Sequence, residues 1–144
     1  MYKILLSIFA IIFSSVNAGH KCLWIHGKVI CHKDSTKNIN VEIRAYDRDG
    51  ISIAQIIDPD DLMAITFTNE DGTFTLDGCG DDHDWIPGIM NDPEPYLQIL
   101  HYCNNENGDV VRMPLKRIFA PDSYDLGTID LDIKEVNAAN LTKN

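Results

Sequence analysis

Apolar and polar side chains alternate with a period of two along much of this chain. Between Cys22 and Cys31 the apolar residues Leu23, Ile25 and Val29 share one parity, and polar or charged residues occur on the other. A period of two is typical of β-strands that bury one face. Helical spacing is nearly absent, so the pattern predicts an all-β chain.

The alternation recurs between turn-forming segments and predicts seven strands. On this reading Ile39 and Ile133 face inward with their apolar neighbours. Pro114 cannot donate a ladder hydrogen bond, so the sixth strand is expected at a sheet edge or a bulge. Strands with one apolar side need a second layer to cover it, which predicts two antiparallel sheets packed face to face. The predicted strands cover residues 22–31, 39–47, 62–68, 73–77, 96–103, 110–118 and 128–133.

The longest stretch predicted to be irregular runs from Gly78 to Glu94, and it is acidic and aromatic. Its carboxylates have the chemistry of calcium ligands, but their order matches no EF-hand. The simpler interpretation is a solvated acidic loop, so we predict no metal and no cofactor. An exposed aromatic and aliphatic patch would mark a partner surface. The residues expected to bind a partner are Trp24, Asp81, Asp82, Trp85, Ile86 and Met90.

The N-terminus has the pattern of a secretory signal peptide. Lys3 precedes an apolar run from Ile4 to Phe13, and small residues end at Ala18. That run is about half of the ~20 residues that a membrane span requires. The predicted division is a signal peptide at 1–18, a β-sandwich domain at 19–134 and a polar tail at 135–144. The tail carries an N-glycosylation sequon at Asn140, and the chain is expected to be secreted and extracellular.

Charge narrows the choice of partners. The full chain has a formal net charge of −10, and removal of Lys3 with the signal peptide makes it −11. A surface of this sign repels nucleic acid and bare anionic membranes.

The four cysteines all follow the predicted signal peptide, and an even number in an oxidising compartment indicates two disulfides. No pair has the C-x-x-C spacing of a zinc site. Cys31 and Cys103 lie on core-facing parity at strand ends, whereas Cys22 and Cys79 lie on outward parity or just beyond a strand. This favours the pairs Cys31–Cys103 and Cys22–Cys79, and two other connectivities stay open.

Six separated motifs, in one order, resemble the nematode transthyretin-like family. They are residues 27–31 (GKVIC), 41–47 (VEIRAYD), 60–63 (DDLM), 68–74 (TNEDGTF), 95–103 (PYLQILHYC) and 124–131 (YDLGTIDL). The resemblance implies a secreted, transthyretin-like sandwich of seven to eight strands. It also implies a role in cell-surface recognition, signalling between cells or host interaction. Many members carry a further cysteine just after the His-x-Cys strand end, but residues 104–111 have none.

An enzymatic role has little support in the residues. The nearest enzymes of this fold are the hydroxyisourate hydrolases, whose active site resembles a His/Arg/His set completed by a C-terminal Tyr-Arg-Gly-Ser. This chain has no Tyr-Arg-Gly-Ser tetrapeptide. His26 and Arg44 are expected to face outward from neighbouring strands, as ordinary surface residues do. There is no Gly-x-Ser-x-Gly elbow, and oxidised cysteines are not nucleophiles. We therefore expect no enzyme, but a binding protein for an extracellular or cell-surface partner, with carriage of a small hydrophobic ligand as the alternative.

Overall fold

A computed structural model describes residues 18–48, 60–83 and 93–133 of the chain. Seven strands form there, as predicted, and no helix of this part is long and apolar enough to cross a membrane. The predicted signal peptide up to residue 17, most of the acidic loop and the predicted tail lie outside the described residues. The strands are β1 (Ala18–Ile30), β2 (Glu42–Asp47), β3 (Asp61–Phe67), β4 (Thr73–His83), β5 (Pro95–His101), β6 (Asp109–Pro114) and β7 (Tyr124–Asp130).

The strands form two sheets, which confirms the predicted sandwich. One sheet has the order β4-β1-β7, and the other has the order β3-β2-β5-β6. Neighbouring strands are antiparallel, except that β1 and β7 are parallel. The parallel pair was not predicted, because alternation in the sequence shows which side of a strand is apolar but not its direction in the sheet.

The core lies between the sheets and is lined by the residues of inward parity. Leu23, Ile25 and Val29 of β1 are buried there, as the alternation predicts. Each such aliphatic side chain contributes about 1.5–3 kcal/mol when it leaves water. The facing sheet adds Ile43, Ala45, Leu97, Ile99, Val111 and Met113 to the same cluster.

Two residues predicted to face inward are exposed. Ile39 and Ile133 expose 41% and 47% of their surface. A 3-10 helix at Ser35–Asn38 and a positive φ of 56° at Asn40 turn the chain before β2 begins. Ile133 follows the end of β7, where the strand alternation no longer applies.

The predicted irregular stretch from Gly78 to Glu94 is wrong at its start, because β4 continues to His83. This strand pairs with β1 through eleven residue pairs, from Ala18 with His83 to Lys28 with Thr73. The glycines of β4 allow this strand to approach β3 closely, and they do not mark a loop. A Cβ added at Gly78 would lie 2.5 Å from the carbonyl oxygen of Met63 in β3, so the two sheets meet here at backbone distance.

Strand β6 occupies an edge of the four-stranded sheet, as Pro114 predicts. It ends at Pro114, whereas the prediction extended it to Ile118. Leu115 N–H still donates to the carbonyl oxygen of Pro95, and the chain then leaves the sheet.

Both disulfides connect the pairs that strand parity favours. Cys31–Cys103 joins the end of β1 to the segment after β5, and therefore links the two sheets. Cys22–Cys79 joins neighbouring strands of one sheet, where the two residues lie directly opposite each other.

Candidate functional site

The outer face of the four-stranded sheet carries an exposed apolar stripe. Its members are Leu62, Ile65 and Phe67 of β3, which expose 52%, 48% and 51% of their surface. We call these three residues the β3 stripe. Because β3 is an edge strand, the stripe lies along the border of the sheet.

A bulge explains why all three side chains point outward despite their uneven spacing. The β2–β3 register shifts between Ala45 and Tyr46, which pair with Ala64 and Leu62. An inserted residue reverses the alternation. Met63 therefore lies buried, and Leu62 returns to the outer face. The sequence predicted this strand but assigned no face to it, because a bulge cannot be located from alternation alone.

Polar groups fill the middle of the same outer face. The Arg44 guanidinium lies 2.6 Å from a Glu42 oxygen and donates to the Tyr46 hydroxyl at 3.2 Å. Gln98 of β5 lies opposite Arg44 and accepts a hydrogen bond from Arg112 Nε of the edge strand β6 at 3.2 Å. Each arginine is held by a neighbour on its own sheet, so its remaining N–H groups are presented in a fixed position.

One end of this face is built from stacked tyrosines. The rings of Tyr46 and Tyr96 lie 5.5 Å apart at an interplanar angle of 16°. The Tyr96 hydroxyl donates to Asp60 at 2.7 Å. Burial first, and this hydrogen bond second, raise the pKa of Tyr96 to about 12, so the hydroxyl keeps its proton at neutral pH.

The arginines of this acidic chain belong to the four-stranded sheet and the segments that leave it. The four arginines of the chain are Arg44, Arg48, Arg112 and Arg117. All belong to β2, to β6 or to the residues that follow them. Arg48 and Arg117 line a cavity of about 180 Å³ with Glu94, to which Arg117 is paired.

The outer face of the other sheet carries the one predicted binding residue whose side chain is described. Trp24 exposes 43% of its surface there. The backbones of Asp81 and Asp82 pair with His20 and Gly19 on this sheet. The other predicted residues, Trp85, Ile86, Met90 and Asn140, lie outside the described part of the chain.

His26 and Arg44 face outward, as expected, but the expectation of neighbouring strands was wrong, because the two strands belong to opposite sheets. His26 belongs to β1 and lies 3.6 Å from Asp125, whereas Arg44 belongs to β2 in the opposite sheet. Adjacent strands in sequence can enter different sheets, and here the core separates the two side chains.

The buried His101 lines a second cavity, of about 160 Å³, with Asn104 and Asp109. Its Nδ1 accepts from Cys103 N–H at 3.3 Å. Burial lowers the pKa of His101. The negative charges of Asp109 and Asp132 raise this pKa, but by less than burial lowers it. Both cavities are smaller than the ~300 Å³ at which small-molecule sites begin.

Three groups of side chains have the types and spacing of metal ligands within the described residues. Two of them contain disulfide sulfurs, which are not thiolates. In the third, of His32, Asp130 and Asp132, carboxylate oxygens accept backbone N–H groups of His32 and Asp132. The structural role of these oxygens accounts for their positions.

The fold and its two bridges define a class of disulfide-linked sandwiches of the transthyretin type. The model of the transthyretin-like family matches residues 26–117, and the chain belongs to this family, as its motifs predicted. It is 31% identical to transthyretin-like protein 16 of Caenorhabditis elegans, over 76% of this chain and 74% of that protein. It is 33% identical to transthyretin-like protein 5 of the same nematode, over 82% of this chain and 70% of that protein.

A solved structure with a weak likeness is a 9R-lipoxygenase from Cyanothece PCC8801. It has 16% identity and a TM-score of 0.42, and the match covers 86% of this chain and 20% of the lipoxygenase. A likeness of this size supports no conclusion about activity.

Proposed function

We propose that this chain is a secreted binding protein that recognises an extracellular or cell-surface protein through the β3 stripe. Recognition of this kind would serve contact between cells, signalling between cells or contact with a host. The observation that carries the proposal is the half-exposure of three large apolar side chains on one edge strand. Proteins usually protect such edges with charge, because an apolar edge invites association.

Charge indicates the chemistry of the partner. Arg44 stands beside the stripe, opposite Ile65, and Arg112 lies on the same outer face at the far edge of the sheet. Guanidinium groups bind carboxylates in a bidentate geometry. A partner surface with apolar side chains bordered by aspartate or glutamate would complement both features.

Secretion is supported by the two disulfides, which form in oxidising compartments and are rare in the cytosol, and by the predicted signal peptide.

A binding role is placed ahead of catalysis because His26 and Arg44 are on opposite sheets. Carriage of a hydrophobic ligand would require more space than the two described cavities supply. A channel between subunits would supply that space, and sedimentation as a strict monomer would exclude such a channel.

The test is binding of the labelled, oxidised protein to the surface of nematode cells. The double variant Ile65→Ser/Phe67→Ser should bind at least about tenfold more weakly, because apolar anchors dominate such interfaces. Trp24→Ser on the other sheet should bind like the wild type. Circular dichroism and intact disulfides establish that each variant is folded. Loss of binding with Trp24→Ser but not with the double variant would contradict the proposal.

A further inference from the structure

The two disulfides lie in different environments. Cys31 exposes 1% of its surface and its bridge connects the two sheets. Cys22 and Cys79 face outward from the three-stranded sheet, where Cys79 is exposed and Cys22 half-buried. An attacking thiol must reach a sulfur along the S–S axis, so access favours one bridge over the other. The exposed bridge is the one that solvent thiols reach without unfolding.

A histidine stands beside the exposed bridge. His20 Nε2 lies 3.6 Å from the Sγ atom of Cys22, and the ligand atoms of His20, Cys22 and Cys79 all lie within 4.8 Å of one another. An imidazole N–H that donates to a sulfur stabilises the thiolate, and a stabilised thiolate is a better leaving group. The neighbouring group therefore favours departure of Cys22 when Cys79 is attacked.

The surrounding sheet holds these strands together without the bridge. Strands β1 and β4 pair on both sides of the Cys22–Cys79 position. Leu23, Ile25 and Leu76 anchor the same strands in the core, and Cys31–Cys103 continues to tie the sheets. Opening the exposed bridge thus leaves the sandwich assembled.

We propose that Cys22–Cys79 is a thiol-exchange site for a low-molecular-weight monothiol, with His20 assisting the departure of Cys22. The thiolate of the monothiol attacks Cys79 Sγ and forms a new S–S bond as the Cys79–Cys22 bond breaks. The electron pair of the broken bond goes to Cys22 Sγ, which accepts a hydrogen bond from His20 Nε2 and takes a proton from solvent. One disulfide is exchanged for another, so no further oxidant or reductant is required. The product carries the monothiol on Cys79 and a free thiol at Cys22.

The test uses the oxidised protein, excess glutathione, acid quenching and peptide mass spectrometry. Glutathione should appear on Cys79 with a free Cys22, while Cys31–Cys103 stays intact and the circular-dichroism spectrum stays that of a β-protein. His20→Gln should slow formation of the adduct roughly threefold. His26→Gln is the matched control, since His26 lies on the same face of β1, and it should leave the rate unchanged.

Two results would overturn the proposal. One is adduct formation only when both bridges open together, at the rate of global unfolding. The other is an equal rate of exchange in the His20→Gln and His26→Gln variants. The double variant Cys22→Ser/Cys79→Ser checks the assignment, because it should fold with Cys31–Cys103 formed and take up no glutathione.

Discussion

Single residues decide how closely the two sheets approach. Gly78 has no side chain, and this lets β4 pass against the Met63 carbonyl and the Ala64 methyl group of β3. In the sequence a glycine beside acidic residues indicates a loop. In the fold the same residue marks close backbone contact, which no local pattern distinguishes from a turn.

Gly78→Ala should lower the free energy of unfolding by about 1–3 kcal/mol, because the new methyl group overlaps backbone atoms that cannot move away freely. Denaturant unfolding of the oxidised protein measures the change. Gly80→Ala is the control, since its Cβ would meet the end of the flexible Met63 side chain at 3.0 Å. An effect of Gly80→Ala as large as that of Gly78→Ala would refute this explanation.

His101 should make stability depend on pH. Burial lowers its pKa in the folded chain below the ordinary 6.5. The unfolded chain therefore binds the proton at higher pH than the folded chain does. The free energy of unfolding should fall as pH drops below about 6.5, towards the lowered folded value.

Unfolding measured between pH 7 and pH 5 tests this dependence, with His101→Gln as the comparison. The variant should be less stable at neutral pH but show a flatter profile in this window. Carboxylates with lowered pKa, such as Asp132, lose their contribution only below about pH 4, so the two effects separate. An identical slope in both proteins would assign the dependence to other groups.

The strands were the most predictable elements of this chain. The period-two pattern predicted all seven strands and the inward residues of β1. It could do so because buried and exposed side chains alternate regularly within each short stretch of sequence. It could not predict the parallel β1–β7 pair, which depends on long-range chain direction. The bulge that exposes Leu62 is a property of the β2–β3 pairing, so the candidate site became visible only with the sheet assembled.

The two disulfides should contribute unequally to stability. Their sequence separations of 72 and 57 residues are similar, so loop entropy distinguishes them by only a few tenths of a kcal/mol. The difference in burial between the two disulfides should have a larger effect on stability. Cys31→Ala/Cys103→Ala should cost about 1–2 kcal/mol more than Cys22→Ala/Cys79→Ala, because it also leaves a cavity between the sheets. Thermal unfolding of the two double variants compares them, and a lower midpoint for Cys22→Ala/Cys79→Ala would contradict the assignment.

At the scale of the molecule, the two outer faces differ in chemistry. The four-stranded sheet presents the β3 stripe beside Arg44, with Arg112 on the opposite edge strand, on a chain whose net charge is −10. The three-stranded sheet presents the exposed disulfide, His20 and Trp24. We therefore assign recognition to one face and thiol exchange to the other, and each is tested without altering the other.

Hydrogen–deuterium exchange tests the central claim most directly, with the chain free and bound to the cell-surface partner recovered by cross-linking. Binding should slow amide exchange in residues 61–67 and 109–114, which carry the stripe and Arg112, and leave residues 73–77 unchanged. Slowed exchange confined to β1 and β4, or to residues 84–92, would contradict the assignment of the binding face.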